Sequence, residues 1–107
     1  MWDEKLKIYD DLVAMCPRFI RKGKTVPSTT ANGYMFSMLN KAGEIGIRFS
    51  KEVQKKYMEA YNTTLYTSYN SVMHGYILVT DEMLKDQQNV ASLLDESFDY
   101  VMSLEPK

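Results

Sequence analysis

Cysteine is nearly absent: Cys16 is alone in 107 residues, so neither an intrachain disulfide nor a thiolate metal cluster can form. Histidine is equally scarce. His74 lies in Ser71-Val72-Met73-His74-Gly75 with no ligand-type neighbour, whereas a zinc site needs several ligands at suitable spacing. A nucleophile with an orienting carboxylate is not recognisable around it either, so a general-base role has no support and His74 reads as structural or simply exposed. Long apolar runs are missing too. Met1 to Tyr9 is charged and amphipathic, unlike a signal peptide, and nothing approaches the roughly 18 apolar residues that cross a bilayer. Cytoplasmic location, without membrane association, follows as the expectation. There is no basic excess: 13 Lys and Arg face 14 Asp and Glu, for a net charge of −1. Phosphate contacts supply most non-specific nucleic-acid affinity, so weak or no direct nucleic-acid binding is expected. No Gly-rich loop leads into a helix, which removes both nucleotide fingerprints, and no cofactor is implied.

What is present suits one packed core. With 45% hydrophobic and 25% charged residues, residues 1–107 read as a single domain, of the size that buries roughly 60–70% of its unfolded surface. Trp2, Leu6, Tyr9, Val13 and Cys16 recur with helical spacing. They predict a helix from Asp3 to Met15, stopped by Pro17. Arg18 to Arg21 reads as a short edge strand, and Gly23, Pro27 and Ser28-Thr29-Thr30 as turn and loop. A hairpin follows: Tyr34, Phe36 and Met38 alternate on one strand, Ile45, Ile47 and Phe49 on the next, with Gly43 at a positive-φ turn position.

Ser50 predicts an N-cap for a helix ending near Ala60, with Val53, Tyr57 and Tyr61 on its apolar side. Leu65, Thr67 and Tyr69 alternate in a further strand, and Val72 to Val79 forms the last. Val90, Leu93, Leu94, Phe98, Val101 and Leu104 mark a helix over Gln87 to Leu104. Short loops between neighbouring strands predict an antiparallel sheet of four to five strands. With a helix at each end and one in the middle, the fold class is α+β, a two-layer sandwich.

Arg18, Arg21, Lys22 and Lys24 form the densest patch of one charge, close to the hydroxyls of Ser28, Thr29 and Thr30. Such a group can hold a phosphate; equally, it can guard a sheet edge against aggregation. Cys16 beside an apolar stripe reads as core. The eight tyrosines and eight methionines suit either a core or an interface. Among the tyrosines, Tyr57, Tyr61, Tyr66, Tyr69 and Tyr76 cluster in the second half of the chain.

The ordered runs Gly33-Tyr34-Met35-Phe36, Gly46-Ile47-Arg48-Phe49-Ser50, Met73-His74-Gly75-Tyr76-Ile77-Leu78-Val79, Asp81-Glu82-Met83-Leu84 and Tyr100-Val101-Met102-Ser103-Leu104-Glu105-Pro106-Lys107 resemble the N-terminal domain of the TfoX/Sxy family, bacterial regulators of natural competence. The resemblance implies a secretion-chaperone-like α+β fold, often dimeric. It also implies a non-enzymatic co-activator working with the cyclic-AMP receptor protein at certain promoters, with no catalytic residues. Thr25-Val26-Pro27-Ser28 stands where those regulators commonly carry a Met-Phe-Gly-Gly-like segment. The helical C-terminal domain of those regulators has no counterpart before Lys107, so the chain looks like a stand-alone relative. A protein-interaction domain is the leading expectation, with a homodimer and an unidentified protein partner. A phosphate-ligand or nucleic-acid module using Arg18, Arg21, Lys22 and Lys24 is the alternative.

Overall fold

Helix α1 spans Trp2–Ala14, with Asp3 and Glu4 in the first turn, where the helix dipole favours acidic side chains. Pro17 lies just beyond its end, and Tyr9, Leu12 and Val13 are its buried residues. The computed structural model describes residues 2–107. Strands β1 (Ser28–Ala31), β2 (Tyr34–Leu39) and β3 (Ile45–Arg48) precede helix α2 (Lys51–Ala60). Strands β4 (Leu65–Ser68) and β5 (Ser71–Val79), a single 3-10 turn at Met83–Lys85 and helix α3 (Gln87–Met102) complete the chain. Each strand is antiparallel to its neighbour, in the order β1-β2-β3-β5-β4. The expected α+β architecture is therefore present, with five strands and helices at both ends and in the middle.

The caps are local sequence effects. Ser50 Oγ accepts the amide of Val53 at 3.3 Å, and Asp86 Oδ1 accepts that of Asn89 at 3.2 Å, so orphan donors of both first turns are satisfied. Gly43 does take a positive φ, 82°, in the β2–β3 turn. The principal core joins all three helices to one face of the sheet. Tyr9, Leu12, Phe36, Ile47, Ile77, Val90, Leu94 and Val101 are wholly buried there.

Three local expectations are corrected. The segment Arg18 to Arg21 is not a strand. Its Phe19 ring is drawn between Phe36 (centroids 5.0 Å, edge-on) and Phe98 (5.4 Å, stacked), which pulls the segment under α3 instead of along the sheet. Ser28 to Thr30, expected as loop, is instead most of edge strand β1. Thr29 is fully buried and its hydroxyl meets that of Ser37 at 2.5 Å, so a branched, hydrogen-bonded side chain overrides the turn signal.

The alternation Tyr34, Phe36, Met38 is broken as well. Thr29 pairs with Ser37 and Thr30 with Met35, leaving Phe36 as an extra residue in a bulge. Phe36 stays in the helix-side core while Met38 turns to the opposite face.

That opposite face is not open. Between Thr67↔Val72 and Leu65↔Ile77 the register slips, because β5 runs through several extra residues around Gly75, whose φ is +88°. The β4–β5 hairpin consequently curls over the sheet. Tyr66 lies on Gly46, where any Cβ would fall 2.4 Å from the ring, and its hydroxyl donates to Glu44 O at 2.8 Å. Tyr76 donates to Met35 O at 2.6 Å. With Met38 they form a second buried cluster, flanked by Val26, Met35, Met73 and Leu78.

Candidate functional site

The four cations of the basic segment do not converge. The Arg18 guanidinium pairs with Asp95 at 3.0 Å and Asp99 at 2.8 Å on α3, and its Cζ sits 4.6 Å from the Phe98 ring centroid. Those hydrogen bonds raise the Arg18 pKa, and the same contact holds the Asp99 carboxyl below the ordinary carboxylate range. Arg21 donates to Asp10 at 2.7 Å and to Gly23 O at 2.6 Å. Lys22 exchanges two backbone hydrogen bonds with Ser28, which lays it along the outer edge of β1, and Lys24 is exposed nearby. Of the three nearby hydroxyls, Thr29 is committed to Ser37 inside the core. Two arginines thus fasten the segment to α1 and α3, while two lysines flank a sheet edge, a place where cations discourage edge pairing.

Cys16 is core. Its thiol points to the carbonyls of Ala91 (3.4 Å) and Leu12 (3.7 Å), and burial pushes its pKa up to about 11. A thiol held protonated in this way is a poor nucleophile. His74 is exposed on β5. Of the clustered tyrosines, Tyr66 and Tyr76 are buried and Tyr57 and Tyr61 pack on the principal core. Tyr57 donates to Glu96 at 2.6 Å, and that bond is the main reason its pKa rises to about 12. Tyr69 alone of the five stands out into solvent, at 65% exposure.

The hairpin has two sides. Tyr66 and Ser68 point inward and are buried, while Leu65, Thr67 and Val72 share the outward side and are exposed. The expected set Leu65, Thr67 and Tyr69 is therefore the solvent-facing one, and the buried residue of the strand is Tyr66. At the tip, Asn40 ties three elements together. Its carbonyl accepts Trp2 Nε1 at 2.9 Å, its Nδ2 donates to Thr67 O at 3.0 Å and its Oδ1 accepts the Glu44 amide at 2.9 Å. A cleft of about 390 Å³ between Asn40–Glu44 and Thr67–Asn70 adjoins this knot.

One signal for this region lies in composition alone: residues 60–80 contain no Asp, Glu, Lys or Arg. They supply β4, β5 and the exposed apolar side chains Leu65, Tyr69 and Val72. Among the described residues no helix is long and apolar enough to cross a membrane, and no cluster of His, Cys, Asp and Glu could hold a metal ion. No family model, curated protein or solved structure matches the chain.

Proposed function

We propose that this chain is a cytoplasmic protein-interaction domain that works by binding rather than by catalysis, and that its first partner is a second copy of itself, met along the outer side of the β4–β5 hairpin. The observation that carries the reading is the contrast between an uncharged stretch, residues 60–80, and the apolar side chains it exposes, Leu65, Tyr69 and Val72. Sheet edges in monomeric proteins are ordinarily blunted by charge, proline or cover. Edge strand β1 has Lys22 laid against it, whereas edge strand β4 has no charged residue against it among the described contacts, with Asn40 meeting Thr67 O. A neutral surface meets its own copy across a twofold axis without like-charge repulsion, which favours self-association. The TfoX/Sxy resemblance supports a role as an accessory factor in transcription, exerted through protein contacts. Direct contact with DNA is expected to be weak, because Arg18 and Arg21 are already paired with carboxylates.

Analytical ultracentrifugation tests this directly. Wild-type protein should sediment as a dimer at tens of micromolar, roughly the range in which a modest interface is populated. A variant carrying Leu65→Lys and Tyr69→Lys, both at exposed positions, should be monomeric with an unchanged circular-dichroism spectrum. A wild type that stays monomeric, or a double-lysine variant that dimerises as well as the wild type, overturns the proposal.

A further inference from the structure

We propose a second, separate site: a cleft at the start of α2 that binds a small phosphate monoester through Arg48, Lys51 and His74. These residues come from β3, α2 and β5 and line one cleft of about 350 Å³, together with Gln54, Gly75 and Tyr100. No carboxylate is among the lining residues. This distinguishes the cleft from the ion-paired part of the cationic surface. Arg18 and Arg21 are bound to aspartates, and Lys5, Lys7 and Lys85 each have an acidic partner within 3.0 Å.

Arg48 forms no ion pair among the described residues; aromatic faces hold it instead. Its Cζ lies 5.4 Å from the ring centroid of Tyr34 and 5.8 Å from that of Tyr100. Stacking on rings positions a guanidinium without consuming its N–H donors. Gly75 contributes by having no side chain: a Cβ there would stand 3.4 Å from Arg48 Cγ and 3.1 Å from Phe49 O. The stem of Arg48 therefore packs over bare backbone, and the φ of +88° at Gly75 disfavours any other residue.

A planar fork of N–H donors suits the paired oxygens of a phosphate. Lys51 adds a compact charge and His74 a ring N–H. The beginning of α2 adds the positive end of its dipole, although the Val53 amide is already taken by Ser50. Cations that line one cleft without a carboxylate fit a dianion better than a single carboxylate. The site is distinct from the basic segment at Arg18 to Lys24, and its occupancy does not depend on the dimer proposed above.

Two-dimensional NMR titration of the free protein tests it, with inorganic phosphate, glycerol 3-phosphate and a nucleoside monophosphate as separate probes. The amides of Lys51, Gly75 and Tyr100 should shift and saturate with a Kd at or below about 1 mM. Equal affinity for all three probes would mean that the phosphate alone is read; tighter nucleotide binding would mean that the ring systems at Tyr34 and Tyr100 take part; both support the site. Arg48→Gln should weaken binding about tenfold or more, in line with losing a charge-assisted pair. Lys51→Ala, at an exposed position that leaves the core untouched, should weaken it less, and a Lys22→Ala, Lys24→Ala variant should bind as the wild type does. Absence of saturation up to about 10 mM, or an affinity that falls with Lys22 and Lys24 instead of Arg48 and Lys51, overturns the proposal.

Discussion

The two faces of this sheet are both filled, but by different chemistry. On the helix-covered face the packing residues are mainly aliphatic and phenylalanine side chains, such as Leu12, Phe36, Ile47, Ile77 and Leu94. Such a face tolerates small changes of shape, because several helices can adjust around a lost methylene. The hairpin-covered face has a buried centre of only Met38, Tyr66 and Tyr76. The Tyr66 ring lies on Gly46, and each phenol donates to a backbone carbonyl, Tyr66 to Glu44 O and Tyr76 to Met35 O. A thin layer of this kind depends on register. Tyr66 fits because β3 presents Gly46 beneath it, and it reaches Glu44 O because the hairpin curls at Gly75. One face is held by volume and the other by placement.

The largest effect expected comes from ionising the buried phenols, Tyr66 and Tyr76 on the hairpin-covered face and Tyr9 on the helix-covered one. Burial raises the pKa of Tyr76 to about 12 and raises those of Tyr66 and Tyr9 as well. A folded-state pKa raised above the unfolded value, about 10, means that the folded form holds its proton more tightly. The stability from that proton is complete below pH of about 10 and is lost as pH rises through the folded-state values. Alkaline titration followed by tyrosinate absorbance and circular dichroism should therefore show a late group of phenols that ionise only as the fold is lost. Ionisation of every tyrosine in one early step with the spectrum intact would mean that no phenol on either face is held protonated by the fold.

A smaller effect comes from adding or removing one carbon on adjacent residues of β3. Gly46→Ala places a methyl where the Tyr66 ring already is, at 2.4 to 2.6 Å from three ring atoms. The ring is wholly buried and bonded at its far end, so it cannot swing aside cheaply. Overpacking of this kind costs about 2–3 kcal/mol. Ile47→Val removes a methyl from the helix-covered face and should cost about 1 kcal/mol. Urea denaturation of both variants gives the comparison. Equal losses, or a larger loss at Ile47, would mean that the hairpin yields to the added methyl and that placement is not what holds it.

How much of this was readable depends on which face is considered. Stripes such as Val90, Leu93, Leu94 and Val101 disclosed the helix-covered core, because helical spacing puts those residues on one side whatever they pack against. Ser50 and Gly43 disclosed a cap and a turn through chemistry local to each. The hairpin-covered face was illegible for a physical reason. Its geometry rests on a bulge at Phe36 and a slip in β5, and each displaces side chains from strict alternation. A period of two therefore assigned Met38 to the wrong face and chose Leu65 and Thr67 over Tyr66. The cleft at Arg48, Lys51 and His74 unites three elements with no shared motif, while the basic run Arg18 to Lys24 drew notice only because its charges are contiguous. The neutrality of residues 60–80 could have been read, since it needs composition alone.

The smallest effect separates burial from hydrogen bonding on the hairpin-covered face. Tyr66→Phe keeps the ring on Gly46 and deletes only the hydroxyl that donates to Glu44 O at 2.8 Å. Glu44 O does not become an orphan, because it also accepts the Asn40 amide at 3.0 Å. The full penalty of an unsatisfied buried acceptor is thus avoided, and the loss should be the net value of one hydrogen bond, about 1 kcal/mol. The slope of the denaturation curve should be unchanged, since the surface buried is nearly the same. Amide hydrogen exchange at Thr67 and Ser68 provides a second reading. If the hydroxyl anchors the curled hairpin, those amides should exchange faster in the variant while amides of α3 stay protected. A loss near zero with unchanged exchange would mean that the Tyr66 ring seats the hairpin without its hydroxyl, and that Asn40, through Thr67 O, and Tyr76, through Met35 O, supply the polar anchoring.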